Sequence, residues 1–196
     1  MASDRPLSLV ILDLDNTCIC AMEMDELHEV THPEKFRHVD LEDIYRIYER
    51  PGLQHWLDEL FKHYRVAVWT AAGLTYALFV IKNFIVNNDS SRTIEFVKWD
   101  DHCDPTYRRS KGQTKKVTLL EPLYDHKFTV LIDDNKDVLR QTLDTINSDY
   151  FDVTDPLAHK DQFCKMGIQP IMSYFDAKHK TKTRLRDQVK MLLHQA

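Results

Sequence analysis

Three short apolar runs, each closed by a polar residue, constrain the fold of this chain more than any other feature of its sequence. They are residues 7–12 (LSLVIL), 65–70 (RVAVWT) and 128–132 (FTVLI). A continuous apolar run of this length is typical of a strand buried in a parallel sheet. Helical patterns separate the runs, and the Asn-Gly and Asp-Gly signals of tight hairpins are absent. This alternation predicts an α/β fold with a mainly parallel central sheet and helices on both faces.

The remaining elements are predicted from periodicity. Pro51-Gly52 opens a helix whose apolar residues follow the 3.6-residue period: Leu53, Trp56, Leu57, Leu60 and Phe61. The other predicted elements are a buried helix at 76–86, a strand at 94–99, a short helix ending near residue 122, a helix at 137–146 and a basic amphipathic helix at 182–195.

Residues 18–49 are rich in charge and histidine, with weak periodicity. We expect them to form a flap or small insert, and the pattern leaves open whether it is a β-hairpin or helical. The basic C-terminal segment, residues 178–196, is expected to be a surface helix that docks on the body or on a second subunit.

Composition narrows the function classes. The chain has 196 residues, 43% of them hydrophobic and 29% charged, so we expect one domain over residues 1–196. A net charge of −5 argues against nucleic acid as a partner. The four glycines are too far apart for a dinucleotide-binding or P-loop motif. No signal-peptide core or membrane span is evident, and we expect an intracellular protein, cytoplasmic or nuclear, with reduced thiols.

Carboxylates follow two of the three apolar runs. Asp13 and Asp15 follow the first, and Asp133-Asp134 follows the last. The carboxyl ends of parallel strands meet at one edge of a sheet, where ligands bind. Four ionised carboxylates require a cation there, and an all-oxygen cluster suits Mg²⁺. The cluster therefore predicts a magnesium site.

Thr70 closes the middle run, and a basic stretch precedes the last one. A hydroxyl and an ammonium are the groups that would bind the remaining oxygens of a phosphate held by the metal. Spread negative charge is the main obstacle to phosphate-ester hydrolysis, and a metal with a lysine counters it. The candidate lysines are Lys111, Lys115 and Lys116.

These motifs resemble those of the haloacid dehalogenase (HAD) superfamily along most of residues 7–140. Residues 13–17 (DLDNT) resemble its first motif, D-x-D-x-T. Thr70 resembles the second motif, a basic lysine the third and Asp133-Asp134 the acidic fourth. Arg50-Pro51-Gly52 and the V-W-T-A-A segment followed by Tyr76-Ala77 are similar to the branch of C-terminal-domain phosphatases, the FCP/SCP group. Members of that group dephosphorylate serines in the RNA polymerase II tail and in other proteins.

The resemblance implies a HAD-type Rossmann-like fold and catalytic roles for named residues. Asp13 would be the nucleophile that forms a phospho-aspartyl intermediate, and its carboxylate would also bind Mg²⁺. Asp15 would protonate the leaving oxygen and then activate water, while its backbone carbonyl binds the metal. Asp133 and Asp134 would complete the metal site. In the phosphatase branch the second acidic residue is often asparagine, whereas this chain has Asp134, a pattern that also occurs in the group.

The resemblance also implies the substrate contacts. Thr70 and Lys116 would hold the phosphoryl oxygens, with Lys115 or Lys111 as alternatives for the lysine. Ala71 would contribute to substrate binding. Apart from the resemblance, Arg109 belongs to a basic cluster next to the proposed site that would steer phosphate to it, the alternative being an ordinary charged loop.

No segment is long enough for a large cap domain, and by family analogy an open site accepts phosphate on a macromolecule. We therefore expect a Mg²⁺-dependent protein phosphoserine or phosphothreonine phosphatase that acts on a phosphorylated protein or peptide and not at a membrane. The alternatives are a polynucleotide 3′-phosphatase, a small-metabolite phosphatase, or a catalytically silent phosphate-binding regulator. Whether the protein is a monomer or a homodimer stays open.

Overall fold

A computed structural model of the chain describes residues 8–103, 115, 124, 128–135, 145–178 and 180. Within these residues a five-stranded sheet forms the centre of the molecule, and every strand pair in it is parallel. Its strands are β1 (Leu9–Leu12), β5 (Arg65–Trp69), β6 (Ile94–Lys98), β7 (Thr129–Asp133) and β8 (Thr145–Asn147). The strand order β6-β5-β1-β7-β8 confirms the predicted parallel α/β sheet.

Strand β1 lies between β5 and β7, and this position aligns the ends that carry the polar residues. Leu12 pairs with Val68 of β5 and with Ile132 of β7, so the three strands end at the same level. All four residues of β1 are almost fully buried, as its continuous apolar run predicts. The residues that follow these strands therefore meet at one edge of the sheet.

Helices cover one face of the sheet within the described residues. Helix α1 (Leu53–His63) buries the predicted apolar stripe, although Phe61 is only half-buried. Helix α2 (Leu74–Val80) continues as a π-helical segment (Ile81–Val86), so the predicted helix at 76–86 begins two residues earlier. Both helices pack with alternate residues of β1 in the largest hydrophobic cluster. Leu9 and Ile11 point into a second cluster on the other face.

Residues 18–49 form a small antiparallel sheet of three strands, which answers the question that the sequence left open. The strands are β2 (Ile19–Glu23), β3 (His38–Leu41) and β4 (Tyr45–Glu49), in the order β2-β4-β3. Its buried side packs Cys20 and Tyr48 against Phe151, and Thr31 donates a backbone hydrogen bond to Val153. The insert is thereby attached to the segment that follows β8.

At the C-terminal side one prediction is wrong and one helix was not predicted. Residues 145–146, assigned to a helix, belong to strand β8, because Thr145 and Ile146 pair with Leu131 and Ile132 of β7. Residues 169–178 are helical, and the sequence analysis missed this helix. Its signal is the spacing of Ile168, Ile171 and Phe175, which enter the main core.

Several predicted elements lie outside the described residues: the short helix near residue 122, most of the helix at 137–146 and the helix at 182–195. The single-domain assignment stays a prediction. No helix among the described residues is long and apolar enough to cross a membrane.

Candidate active site

The carboxyl ends of β1, β5 and β7 bring together three of the residues predicted from the sequence. Asp13 follows β1 and Thr70 follows β5, while Asp133 is the last residue of β7. All three are buried, and the Asp13 backbone amide donates a hydrogen bond to the Ile132 carbonyl at 3.0 Å. The sheet register itself therefore fixes where these side chains begin.

Three carboxylates at this edge form a candidate metal centre. Asp13, Asp133 and Asp134 each offer one oxygen, and these three atoms lie within 4.8 Å of one another. Hard oxygen donors of this kind are the ligands that Mg²⁺ prefers. The residues thus fit the expected cation. The participation of the Asp15 backbone carbonyl stays a prediction.

A buried lysine bridges two of the carboxylates. The Lys115 ammonium donates hydrogen bonds to Asp13 Oδ1 and, at 2.8 Å, to Asp133 Oδ2. Burial alone would lower the pKa of Lys115, but the two carboxylates outweigh it and raise that pKa, so the ammonium stays charged. The preferred lysine, Lys116, lies outside the described residues, as does Lys111. The contacts favour Lys115, one of the stated alternatives.

Keeping these buried carboxyl groups ionised costs electrostatic free energy. Burial raises the pKa of Asp13 well above its ordinary value, and although Lys115 opposes this, the charge of Asp133 adds to it. Burial and Asp133 likewise raise the pKa of Asp134. One ammonium does not compensate this group of carboxylates, and a divalent cation at the same place would lower the cost.

Asp15 lies on the other side of Thr70 and is held by two hydroxyl groups. Tyr76 Oη donates to Asp15 Oδ1 at 2.5 Å, and Thr70 Oγ1 donates to Asp15 Oδ2 at 3.5 Å. Burial raises the pKa of Asp15, although the Tyr76 hydrogen bond opposes that effect. A carboxyl group with a raised pKa suits a proton donor.

The loop after β1 is fixed by Asn16 and Thr17, two residues of the first motif to which the sequence analysis assigned no separate role. Asn16 adopts the left-handed conformation with φ 58°, which asparagine tolerates better than most residues. Its side-chain amide donates to the Phe151 carbonyl at 3.0 Å, and the Phe151 amide donates to the Asn16 carbonyl at 2.8 Å. Thr17 Oγ1 accepts a hydrogen bond from the Asp134 amide at 3.1 Å and lies 3.2 Å from Ser148 Oγ.

Arg50 holds this loop through hydrogen bonds to backbone carbonyls. Its guanidinium, fully buried, forms a bidentate ion pair with Asp161 at 3.0 and 2.9 Å. The same group donates to the Thr17 carbonyl at 2.8 Å and to the Asp149 carbonyl at 3.2 Å. The sequence analysis used Arg50 only as a family signature and assigned it no role.

The roles of the remaining predicted substrate-binding residues stay predictions. Ala71 is exposed and follows Thr70 directly in the chain. The next amide, of Ala72, donates to Thr70 Oγ1 at 3.0 Å. Arg109 lies outside the described residues. Tyr76 was used as a family signature and as part of a buried helix, and no role in the site was assigned to it.

Comparisons with known proteins agree with this arrangement. The family model of NLI interacting factor-like phosphatases matches residues 8–162. The CTD phosphatase-like protein 355R of Invertebrate iridescent virus 3 is 40% identical over 137 residues, which cover 64% of this chain and 74% of that protein. Its namesake in Invertebrate iridescent virus 6 is 39% identical over 141 residues, covering 66% and 77%.

Two solved structures share the fold. One is Fcp1, described as an essential RNA polymerase II CTD phosphatase, with a TM-score of 0.53 and 21% identity over 81% of this chain and 48% of that one. The other is a fission yeast Fcp1 variant bound to beryllium fluoride, with a TM-score of 0.52 and 20% identity over 95% and 55%. This chain thus spans about half the length of the Fcp1 chains. From the family match and the shared α/β fold, the chain belongs to the NLI interacting factor-like phosphatases, an FCP/SCP-like branch of the HAD phosphatases.

Proposed function

We propose that this protein is a Mg²⁺-dependent phosphomonoester hydrolase that works through a phospho-aspartyl intermediate on Asp13. The observation that carries the proposal is the pairing of two carboxylates with different environments at one sheet edge. Asp13 accepts a hydrogen bond from a buried ammonium, whereas the side chains that donate to Asp15 are the hydroxyls of Tyr76 and Thr70. Two carboxyl groups whose environments differ in this way suit a nucleophile and an acid.

Asp13 has the contacts that a nucleophile needs. Lys115 donates to its Oδ1, which favours the ionised form, and the sheet fixes its backbone. In the first step an oxygen of Asp13 attacks phosphorus and the bond to the leaving oxygen breaks. Asp15 gives its proton to that oxygen and so releases an alcohol.

In the second step water attacks the phosphorus of the phospho-aspartyl group. Asp15, now ionised, takes the proton of the water as the bond between phosphorus and the Asp13 oxygen breaks. Inorganic phosphate leaves, and both carboxyl groups return to their starting states. Thr70 and Lys115 lie beside these two carboxyl groups and would bind the phosphoryl oxygens during both steps.

Asp13, Asp133 and Asp134 would hold the cation, with the Asp15 carbonyl as the fourth protein ligand. When bound, Mg²⁺ would neutralise charge on the phosphoryl oxygens and on the carboxylates around it. The burial of Asp133 keeps one of these ligands away from competing water.

We further propose that the substrate is a phosphoserine or phosphothreonine in a protein. Two observations support this assignment. The relatives at about 40% identity are named CTD phosphatase-like proteins. The insert of residues 18–49 is a three-stranded sheet, which is smaller than a domain that would enclose a metabolite. An intracellular location stays part of this proposal.

The experiment is turnover of p-nitrophenyl phosphate with Mg²⁺, with EDTA, and by Asp13→Asn. We expect activity with Mg²⁺, its loss in EDTA with recovery on adding Mg²⁺, and a fall of at least about 10³-fold in the variant, since an amide is a poor nucleophile. Glu95→Gln, which neutralises a carboxylate paired with Arg65 at the opposite end of β5, is the matched control. Full activity of Asp13→Asn would show that the nucleophile is another residue.

The same preparation separates the substrate classes. We expect phosphoserine peptides to be hydrolysed with a higher kcat/KM than 3′-phosphorylated oligonucleotides or small phosphate esters. A preference for the oligonucleotides would instead support the 3′-phosphatase alternative. If the wild type binds beryllium fluoride but hydrolyses none of these substrates, the protein is a phosphate-binding regulator.

A further inference from the structure

We propose that Tyr76 is a positioning residue that holds Asp15 through one oxygen and thereby directs its proton to the other. This inference rests on the proposed function, in which Asp15 is the acid and base. It concerns a residue to which the sequence motifs assign no chemistry.

The hydrogen bond between Tyr76 and Asp15 is short and partly buried. Tyr76 Oη donates to Asp15 Oδ1 at 2.5 Å, and both residues are half-buried. A tyrosine hydroxyl carries its proton near neutral pH, so Tyr76 Oη is the donor in this contact. Once Asp15 has given up its proton, this is a hydrogen bond to a charged acceptor, which is among the stronger kinds in proteins.

The second oxygen of Asp15 faces the Thr70 hydroxyl. Asp15 Oδ2 lies 3.5 Å from Thr70 Oγ1, the hydroxyl expected to bind the phosphoryl group. Oδ1 accepts the much shorter hydrogen bond, 2.5 Å from Tyr76 Oη against 3.5 Å from Thr70 Oγ1 to Oδ2, so the transferable proton of Asp15 is placed on Oδ2. Oδ2–H then protonates the leaving oxygen, and Oδ2 later accepts the proton of the attacking water.

The insert holds Tyr76 in this position. Tyr76 lies in the first turn of α2, and its ring packs edge-on against Tyr45 of β4, with centroids 6.2 Å apart and planes at 80°. Aromatic pairs prefer this edge-to-face arrangement. The three-stranded sheet thus contributes to catalysis through Tyr45 and Tyr76, besides flanking the site.

The test compares two aryl phosphates that differ in how much they need a proton donor. Phenolate is a poorer leaving group than p-nitrophenolate, so phenyl phosphate depends more strongly on Asp15. We expect Tyr76→Phe to lower kcat/KM for phenyl phosphate at least about 10-fold more than for p-nitrophenyl phosphate. Recognition of a peptide does not enter, because both substrates are small.

The matched control is Tyr64→Phe, the same chemical change at the C-terminal end of α1, beside the amino end of β5. It should leave the ratio of the two kcat/KM values unchanged. An equal loss on both substrates in Tyr76→Phe, or no loss on either, would overturn the positioning role while the wild-type activity upholds the phosphatase. A wild type that hydrolyses neither ester with Mg²⁺ would overturn the proposed function and this inference with it.

Discussion

At the scale of single residues, the buried carboxylates of the site lower the stability of the native protein. Asp13 is buried next to Asp133, and its charge is balanced by Lys115 alone among the described cations. A buried carboxylate that must be ionised for chemistry costs free energy in the absence of a metal. Functional sites commonly carry such a cost, which a bound cation relieves.

This cost predicts a pH dependence of stability. The pKa of Asp13 lies well above its ordinary value of 3.8 in the native state, chiefly through burial. The protonated form therefore stabilises the native protein at low pH, and this contribution is lost as the pH rises through the native pKa. Asp13→Asn removes the titration. We expect the free energy of unfolding of the wild type, minus that of the variant, to fall in EDTA as the pH rises from the ordinary carboxyl range towards the raised native pKa of Asp13.

Urea unfolding at several pH values measures this difference, and Mg²⁺ added near neutral pH should restore stability to the wild type only. A difference that stays constant with pH would mean that Asp13 has similar pKa values in the native and unfolded states.

Sequence reasoning was most successful with residues whose place is set by a strand. Asp13 and Asp133 were predicted to meet because each closes an apolar run, and the register of β1 and β7 brings them together. Tyr76 and Arg50 were not predicted as site residues. Their contacts join segments far apart in the chain, and a single sequence gives no signal for such pairs.

At the scale of elements, one buried ion pair connects three loops. Arg50, just before α1, binds Asp161 and the carbonyls of Thr17 and Asp149, so it joins the loop after β1 to the segments after β8. Its guanidinium also lies over the ring of Phe163, 4.8 Å from the centroid. These contacts hold the loop that carries Asp15 and Thr17.

Removing this ion pair should be costly. We expect Arg50→Met to lower the free energy of unfolding by about 3–5 kcal/mol, because Asp161 and two carbonyls lose their donor. The matched control is Arg46→Met, since Arg46 pairs with Asp40 in the same bidentate manner on an exposed surface. That change should cost at most about 1 kcal/mol. Equal costs in denaturant titrations would contradict the structural role of Arg50.

Elements whose hydrophobic residues follow a clear period were predicted well from the sequence, whereas short elements were not. The stripe from Leu53 to Leu60 identified α1 because its helical repeat extends over two turns. Strands β2, β3 and β4 contain Glu23, His38 and Arg46, so their pattern is mixed, and pairing between strands decides their structure. β8 has three residues, too few for a period, and joins the sheet only through β7.

At the scale of the whole molecule, the parallel sheet brings together residues that lie far apart in the sequence. Asp13 and Asp134 are more than a hundred positions apart, yet their carboxylate oxygens share one candidate metal centre. The three-stranded insert reaches the same edge through Tyr45 and Tyr76. Within the described residues, the fold thus brings the proposed nucleophile, acid and metal ligands to one sheet edge beside a three-stranded insert.

The most direct test of this account is to locate the covalent phosphoryl group. The enzyme, quenched during turnover of p-nitrophenyl phosphate with Mg²⁺, would be treated with borohydride, which reduces an acyl phosphate to an alcohol, and then mapped by mass spectrometry. We predict that residue 13 is converted to homoserine, and that Asp13→Asn shows no conversion. Reduction at another carboxylate, or turnover without any reduced residue while phosphate is released, would contradict a phospho-aspartyl mechanism at Asp13.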